Sequence, residues 1–497
     1  MGYKKPYKKF IPKETAPKAP YVRAVRNWSE YQKAIFDAVQ NGSGNYVVMA
    51  RAGSGKTSTI IEALNYIPTG QSWILVAFNK KICEELKVQA PQDKNGEIST
   101  LHSLGYRAVM KAFGKVKLDN YKVKNMLVAK MGDDSETKRE YVEKVVKAVS
   151  LCKGYLAMTA DKIDEVIDRH GLDVGVNGER SSFISLVMQL LEQSAFEKKI
   201  IDFDDMIFMP VFFELDMPKF DMVFVDETQD LNSVQLKMIM GCRTSIGRII
   251  AVGDDRQAIY GFRGADSNAI ARIVSETNAT VLPLSVTYRC AKSIVAIAQT
   301  IVPDIQAAPD AVEGEVVECS RETMCRDAAP GDFIISRSNA PLIGLAMGFI
   351  KAGKPAQIQG RDIGKNLLGF MKKSKCTQVD EFMNYVETWR DKEVTRLLAK
   401  NRDTTAVEDK AECFLALCEG AVDLNQVKLN IEKLFDDAEL KGFILLMTIH
   451  KSKGLESNKC YVLADTCRPG KNVEESNLWY VACTRAKKSL NIVRGVK

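Results

Sequence analysis

The residues Ala50-Arg-Ala-Gly-Ser-Gly-Lys56-Thr57 carry the sharpest chemical pattern in the chain. They form a phosphate loop in which alanine stands for the first glycine of G-x-x-x-x-G-K-[ST]. Gly53 and Gly55 allow the backbone N–H groups of the stretch from Ala52 through Ser54 to Ser58 to close around phosphate oxygens. They do so at a helix N-terminus, where the dipole favours negative charge. Lys56 is placed to bind β and γ phosphates, and the Thr57 hydroxyl suits Mg²⁺, which prefers oxygen ligands. A chance glycine-rich turn is the competing explanation. The apolar run before the loop and the helical pattern after it weigh against that.

A second pattern, Val223-Phe-Val-Asp226-Glu227, is an apolar strand that ends in two acids. Asp226 is the candidate to hold Mg²⁺ through a water, and Glu227 the candidate general base that polarises an attacking water. Acids ending a strand are common, so the pair acquires weight only beside the phosphate loop.

Elements of two kinds must position these residues. A chain of 497 residues exceeds one hydrophobic core, so several packed units are expected. Apolar runs at 46–50, Trp73–Phe78, Met222–Val225 and Ile249–Val252, separated by polar loops and helical patterns, read as buried parallel strands of a doubly wound α/β lobe. Strand signals vanish between Leu104 and Lys199, where Phe183, Leu186, Val187, Leu190 and Leu191 recur at helical spacing. Strand-like runs return at Phe333–Ser336, Ile444–Thr448, Tyr461–Ala464 and Leu490–Val493, predicting a second α/β lobe. Residues 365–440 interrupt it as a smaller helical insertion, with Phe382, Val386 and Trp389 on one face.

Composition narrows the function classes. The net charge of +7 resides entirely in residues 1–27, which hold eight basic side chains and one acid. The body is neutral on average, so a nucleic-acid site within it must come from local patterning. The tail is expected to be disordered and to serve as a phosphate-seeking arm, as a recruiter of a protein partner or as a solubilising extension. No apolar run is long enough to span a bilayer, and no secretory h-region is present, so a cytoplasmic protein without membrane contact is expected. Twelve cysteines include no C-x-x-C pair, and His102, His170 and His450 are far apart in sequence, which argues against zinc.

Further motifs carry a family resemblance. Asp226-Glu-Thr-Gln-Asp230 is followed by Val252-Gly-Asp-Asp-Arg-Gln-Ala-Ile-Tyr-Gly-Phe-Arg-Gly-Ala265, then Thr287-Tyr-Arg289, Thr448-Ile-His-Lys-Ser-Lys-Gly-Leu-Glu456, and finally Glu474 to Ala486. Their content and order resemble superfamily 1 helicases of the UvrD, Rep and PcrA group. The resemblance runs from about Trp28 to the C-terminus outside the two insertions. It implies two RecA-like P-loop lobes that bind ATP and Mg²⁺ between them. The lobes would be built from 28–103 with 201–284 and from 285–364 with 441–497, and interrupted by helical insertions at 104–200 and 365–440.

By the same resemblance, Gln32 pairs with the adenine edge, as an amide can. Tyr288 stacks on the base, Gln257 senses the γ phosphate, and Arg289 and Arg485 stabilise charge on the transferred phosphoryl group. Gly454 and Glu456 approach ribose and phosphates. For the nucleic-acid track, Phe78, Thr100, His102, Tyr260, Phe262 and Arg263 are the candidates on the first lobe, with Arg337, Asn339 and His450 on the second. Phe262 stands where relatives carry tryptophan, and Phe78 could equally be core. The segment Ile201-Asp-Phe-Asp-Asp205 resembles a further family landmark and is read as structural, since no nuclease pattern accompanies its acids.

The resulting expectation is a monomeric ATP-dependent translocase and helicase acting on single-stranded DNA and on single-strand/duplex junctions, with 3′ to 5′ polarity implied by the resemblance alone. RNA stays open as a track, because stacking platforms accept any base. The alternatives are a nucleic-acid-dependent ATPase that displaces proteins or remodels RNA without processive unwinding, and a recruitment protein in which ATP is only a conformational switch, against which Glu227 argues. The short second insertion leads to the expectation that removing 365–440 spares DNA-stimulated ATPase.

Overall fold

The structure is a computed structural model and describes residues 27–77, 79–91, 95–131, 136–170, 172, 174, 178–259, 269–399, 404–435 and 442–495. The basic tail and Phe78, Tyr260, Phe262 and Arg263 therefore lie outside the described residues.

The first sheet is ordered Gly96–Thr100, Trp73–Ala77, Phe220–Val225, Arg243–Gly253, Tyr46–Ala50, Thr280–Leu284. Every pairing is parallel, with Leu75 opposite Phe224 and Val48 opposite Val252. The four strands at its centre are apolar on both faces because helices cover both. Val48, Leu75, Phe224 and Ile250 face one core, and Val47, Ile74, Val223 and Ile249 face the other. The strands' carboxyl ends fall at Ala50, Val225 and Gly253, so the phosphate loop and the paired acids emerge on one edge. Ligands of doubly wound sheets sit at that edge.

The second sheet is ordered Glu315–Ser320, Ala486–Arg494, Ser457–Leu463, Phe333–Ser336, Ile444–Thr448, Ala356–Ile358, again wholly parallel. Its orientation separates two groups of residues. Glu456 and Arg485 immediately precede strands, on one edge, while Arg337, Asn339 and His450 follow strands, on the other.

The first insertion has a core of its own, in which Leu127, Val145, Val149, Ile163, Phe183 and Val187 from four helices meet. The expected boundary at 103/104 needs correction. The helix Leu101–Phe113 runs through it and buries Leu101, Leu104 and Ala108 against Val223 and Val225 of the first sheet. Gly105 within it passes so close to the helix Asp205–Phe212 that a Cβ would sit 1.7 Å from the Met206 carbonyl oxygen. The insertion is closed at its base by the paired strands Lys117–Leu118 and Ile200–Ile201.

There the acids of 201–205 meet lysines. Lys122 Nζ is 2.7 Å from Asp205, and Lys153 Nζ is 2.7 Å from both Asp202 and Asp205. All four side chains are buried. Burial pushes Asp202 up and Lys122 down from their ordinary values. These carboxylates are occupied as an internal ionic joint between insertion and lobe.

The second insertion is of a different kind. Its helices Val379–Leu398, Thr405–Cys418 and Leu424–Leu434 share one continuous core with the second lobe, where Phe382, Phe414 and Ile431 join Leu342, Phe349 and Ile358. The boundary at 364/365 also falls inside a helix, Arg361–Ser374. Asp409 of the insertion caps the lobe's helix Ala340–Lys351, accepting from the backbone of Asn339 and Ala340 at 2.8 Å each. Such a shared core argues against the expectation that removing 365–440 spares DNA-stimulated ATPase. No helix among the described residues is long and apolar enough to cross a membrane.

Candidate active site

The strand Tyr46–Ala50 delivers the chain into a loop whose Gly53 and Gly55 have φ of +73° and +81°, the left-handed region glycine adopts without strain. The helix Lys56–Ala63 starts directly after it. Ser54 is buried, and its hydroxyl has no partner among the described residues. Thr57 is exposed at the helix start. Gln32, buried in the first turn of the helix Glu30–Asn41, donates from Nε2 to Thr59 Oγ1 at 2.9 Å. Thr59 in turn bonds the Gly55 carbonyl, so Gln32 is tied to the loop.

Facing the loop, Glu227 Oε1 lies 3.8 Å from Lys56 Nζ. Glu227 has a left-handed backbone (φ +51°), held where the Asp226 carboxylate accepts its N–H at 2.9 Å. Burial would raise its carboxyl, but Lys56, Lys453, the Gln229 amide and Arg485 outweigh that and hold it below the usual range. Asp226 goes the other way, raised by burial and by the charge of Glu227. Two adjacent acids are thus driven apart, Glu227 toward the ionised form.

The second lobe closes on this loop. The Tyr288 N–H donates to the Gly53 carbonyl at 2.9 Å. A Cβ on Gly53 would sit 2.5 Å from Arg289 Cβ and 2.5 Å from Thr287 Oγ1. The Tyr288 ring itself is half exposed. Arg289 Nε donates to Glu456 Oε2 at 2.6 Å, and Lys487 Nζ is 3.1 Å from the same carboxylate. Gly454, just before, has φ of +85°. Arg485 is fully buried, and among the described residues it bonds neutral oxygens, those of Val481, Leu455 and Thr484. Burial and the like charge of Arg289 pull its guanidinium down to about 10, so it remains a cation at neutral pH. Lys56, Glu227, Arg289 and Arg485, from distant parts of the chain, thus lie near enough to act on one another's charge.

Other expected residues take different positions. Gln257 is buried, with its amide donating to Asp254 Oδ2 at 2.7 Å rather than facing an open cleft. Thr100 caps the helix Leu101–Phe113 through its hydroxyl. His102 follows it and meets the ring of Phe203 edge-on, 6.1 Å between centroids; Phe203 is exposed. Arg337 and Asn339, expected on the nucleic-acid track, are engaged by acidic side chains. Arg337 Nε bonds Glu475 at 3.1 Å, and Asn339 Nδ2 bonds Asp409 at 3.0 Å, because neighbouring acids reach them first. His450 lies in the short helix Ile449–Ser452 at the same edge of the second sheet.

Reasoning from sequence missed Arg51, Tyr480, Lys453 and Phe203. The first three act through partners hundreds of residues away, for which a sequence carries no local sign. An aromatic among the acids of 201–205 was the available sign for Phe203.

Two wholly parallel lobes, a phosphate loop at the carboxyl edge of one and paired arginines at the facing edge of the other define a two-lobed P-loop architecture. Residues 31–278 match the UvrD/REP helicase N-terminal domain, and residues 371–495 match the UvrD-like helicase C-terminal domain. The chain belongs to the UvrD/REP helicase family. Among similar proteins, the ATP-dependent DNA helicase PcrA of Staphylococcus aureus is 25% identical over 293 residues, covering 54% of this chain and 39% of its own length. That of Staphylococcus epidermidis is 24% identical over 305 residues, 56% of this chain and 40% of its own. The matched region spans about two fifths of the length of these relatives.

Proposed function

We propose that the chain is an ATP-dependent DNA helicase that moves 3′ to 5′ along single-stranded DNA and opens duplex at junctions. The observation that carries this reading is the contact of Gly53, in the phosphate loop, with Tyr288 and Arg289 of the other lobe. A triphosphate held by that loop has both lobes as neighbours, so its binding and loss change how they meet. Membership of a helicase family and likeness to proteins named DNA helicases support DNA as the track.

In the reaction, water attacks the γ phosphorus and the bond to the ADP oxygen breaks. Lys56 holds β and γ oxygens. Glu227, kept ionised by its cationic neighbours, accepts the proton of the attacking water. Arg289 and Arg485 neutralise the charge that develops, and Gln257 reports the γ phosphate to the lobe interface once it leaves Asp254. Tyr288 offers its exposed ring to the base, while Gln32 binds the adenine edge and Glu456 with Gly454 the ribose side. The chemistry of the donors suits Mg²⁺: the Thr57 hydroxyl, exposed at the helix start, and the Asp226 carboxylate both offer hard oxygens and are the residues that would hold it. The ion would supply charge neutralisation on the phosphates.

Along the strand, His102 and Phe203 would stack bases on the first lobe and His450 would meet them on the second. Phe78, Tyr260, Phe262 and Arg263 are assigned to the same track on the family motifs. Arg337 and Asn339 join it only if phosphates displace Glu475 and Asp409. The protein would act as a monomer in the cytoplasm, with the tail of residues 1–27 as a second anchor for DNA or a partner.

The test is ATP turnover with and without single-stranded DNA and RNA, paired with unwinding of 3′- and 5′-tailed duplexes. DNA-stimulated turnover with opening of the 3′-tailed substrate is expected. Stimulated turnover without strand separation would replace helicase by protein displacement, and stimulation by RNA alone would replace the track.

A further inference from the structure

The phosphate loop is gripped by the second lobe at places the reaction chemistry does not need. Ala52, a loop residue, is packed within the second lobe's core beside Cys290, Ile294 and Tyr480. Its buried N–H donates to the hydroxyl of Tyr480 at 2.8 Å. That hydroxyl donates onward to Asp254 Oδ2 at 3.2 Å, and Tyr480 is fully buried. Asp254 Oδ1 receives Arg51 Nη1 at 3.1 Å. Arg51, also in the loop, donates from the same nitrogen to Asp255 at 2.6 Å and from Nε to both oxygens of Asp304 at 3.0 and 2.9 Å. Burial disfavours its charge, but three carboxylates more than restore it.

We propose that Tyr480, Arg51 and Asp304 are positioning residues that let the second lobe set the backbone of the phosphate loop. The chain of bonds Ala52–Tyr480–Asp254–Arg51–Asp304 starts in the loop, crosses to the second lobe at Tyr480, returns through Asp254 to the loop at Arg51 and crosses again to Asp304. Tyr480 comes from the helix Val473–Cys483, and Asp304 from beyond the helix Lys292–Gln299, both past the first sheet's last strand. A shift of the second lobe therefore has to turn the Ala52 amide or break its bond. An amide that is buried and unbonded is costly, so the loop follows. The same carboxylate, Asp254, also holds the Gln257 amide, so one buried group joins loop, lobe and γ-phosphate sensor. This inference rests on the proposed ATP site.

Tyr480→Phe removes one oxygen and leaves the ring in its core. It should raise KM for ATP about ten-fold with kcat changed less than about two-fold, because a loop set wrongly binds substrate and transition state equally badly. Asp304→Ala, on a half-exposed side chain, cuts the lobe's hold on Arg51 without touching the loop. It should raise KM about three-fold and keeps the test alive if the first variant does not fold. KM within two-fold of the parent in both variants, or a fall in kcat at constant KM, overturns the positioning role while the parent still hydrolyses ATP. A folded parent without ATP turnover overturns the proposed function itself, and this inference with it.

Discussion

Lys453 reaches from the second lobe to Asp230 of the first, with Nζ 2.9 and 2.7 Å from the two carboxylate oxygens. It also donates to the Gln257 carbonyl at 3.0 Å. Both side chains are nearly buried, and burial pushes Asp230 up to about 6 despite its partner. Lys453→Ala leaves that carboxylate enclosed without its cation and should cost about 3 kcal/mol. A raised carboxyl favours the fold at low pH and loses that contribution as pH rises through about 6. The loss should therefore be full near pH 8 and shrink toward about pH 4, where Asp230 protonates. Urea unfolding at both pH values measures it; an absent loss would show that the pair contributes nothing, and an equal loss that its cost does not come from the ionised carboxylate.

Glu227→Gln keeps shape and hydrogen bonding but removes the proton acceptor. ATP turnover should drop by roughly 100- to 10,000-fold while nucleotide binding persists. Turnover at the parent rate would remove Glu227 from the chemistry.

Gly53→Ala adds one methyl where Arg289 Cβ and Thr287 Oγ1 would each be 2.5 Å away, at a φ of +73° that disfavours any side chain. The loop or the second lobe must retreat. Nucleotide affinity should fall at least about ten-fold, read by titration with a fluorescent ATP analogue. Unchanged affinity would mean the lobes do not meet at this loop.

Asp409→Ala strips four bonds from the start of the helix Ala340–Lys351: two from the Asn339 N–H, one from the Ala340 N–H and one from the Asn339 amide. A cost of about 1–2 kcal/mol to the second lobe is expected from thermal unfolding. Deleting 365–440 should be far worse, since Leu342, Phe349 and Ile358 lose the partners that bury them. A folded, DNA-stimulated deletion variant would refute the shared core.

Much of this protein was legible in the chain itself. Periodicity showed the parallel strands, because a strand buried on both faces must be apolar at successive positions, as 46–50 and 73–77 are. The phosphate loop and paired acids were equally plain, since local backbone chemistry requires glycine, lysine and carboxylate at fixed spacing. Boundaries were less so: Leu104 and Leu101 look the same whether a helix packs on the lobe or on an insertion, and only Met206 and Val223 decide it.

What tertiary structure alone decided are the relations among remote residues. Spacing does not reveal that Tyr480 completes the bonding of Ala52, that Asp409 occupies Asn339, or that Lys153 neutralises two aspartates. The physical reason is that burial makes each polar group demand a partner without specifying which. The sequence determined what must be bonded, and packing of the two lobes determined to whom.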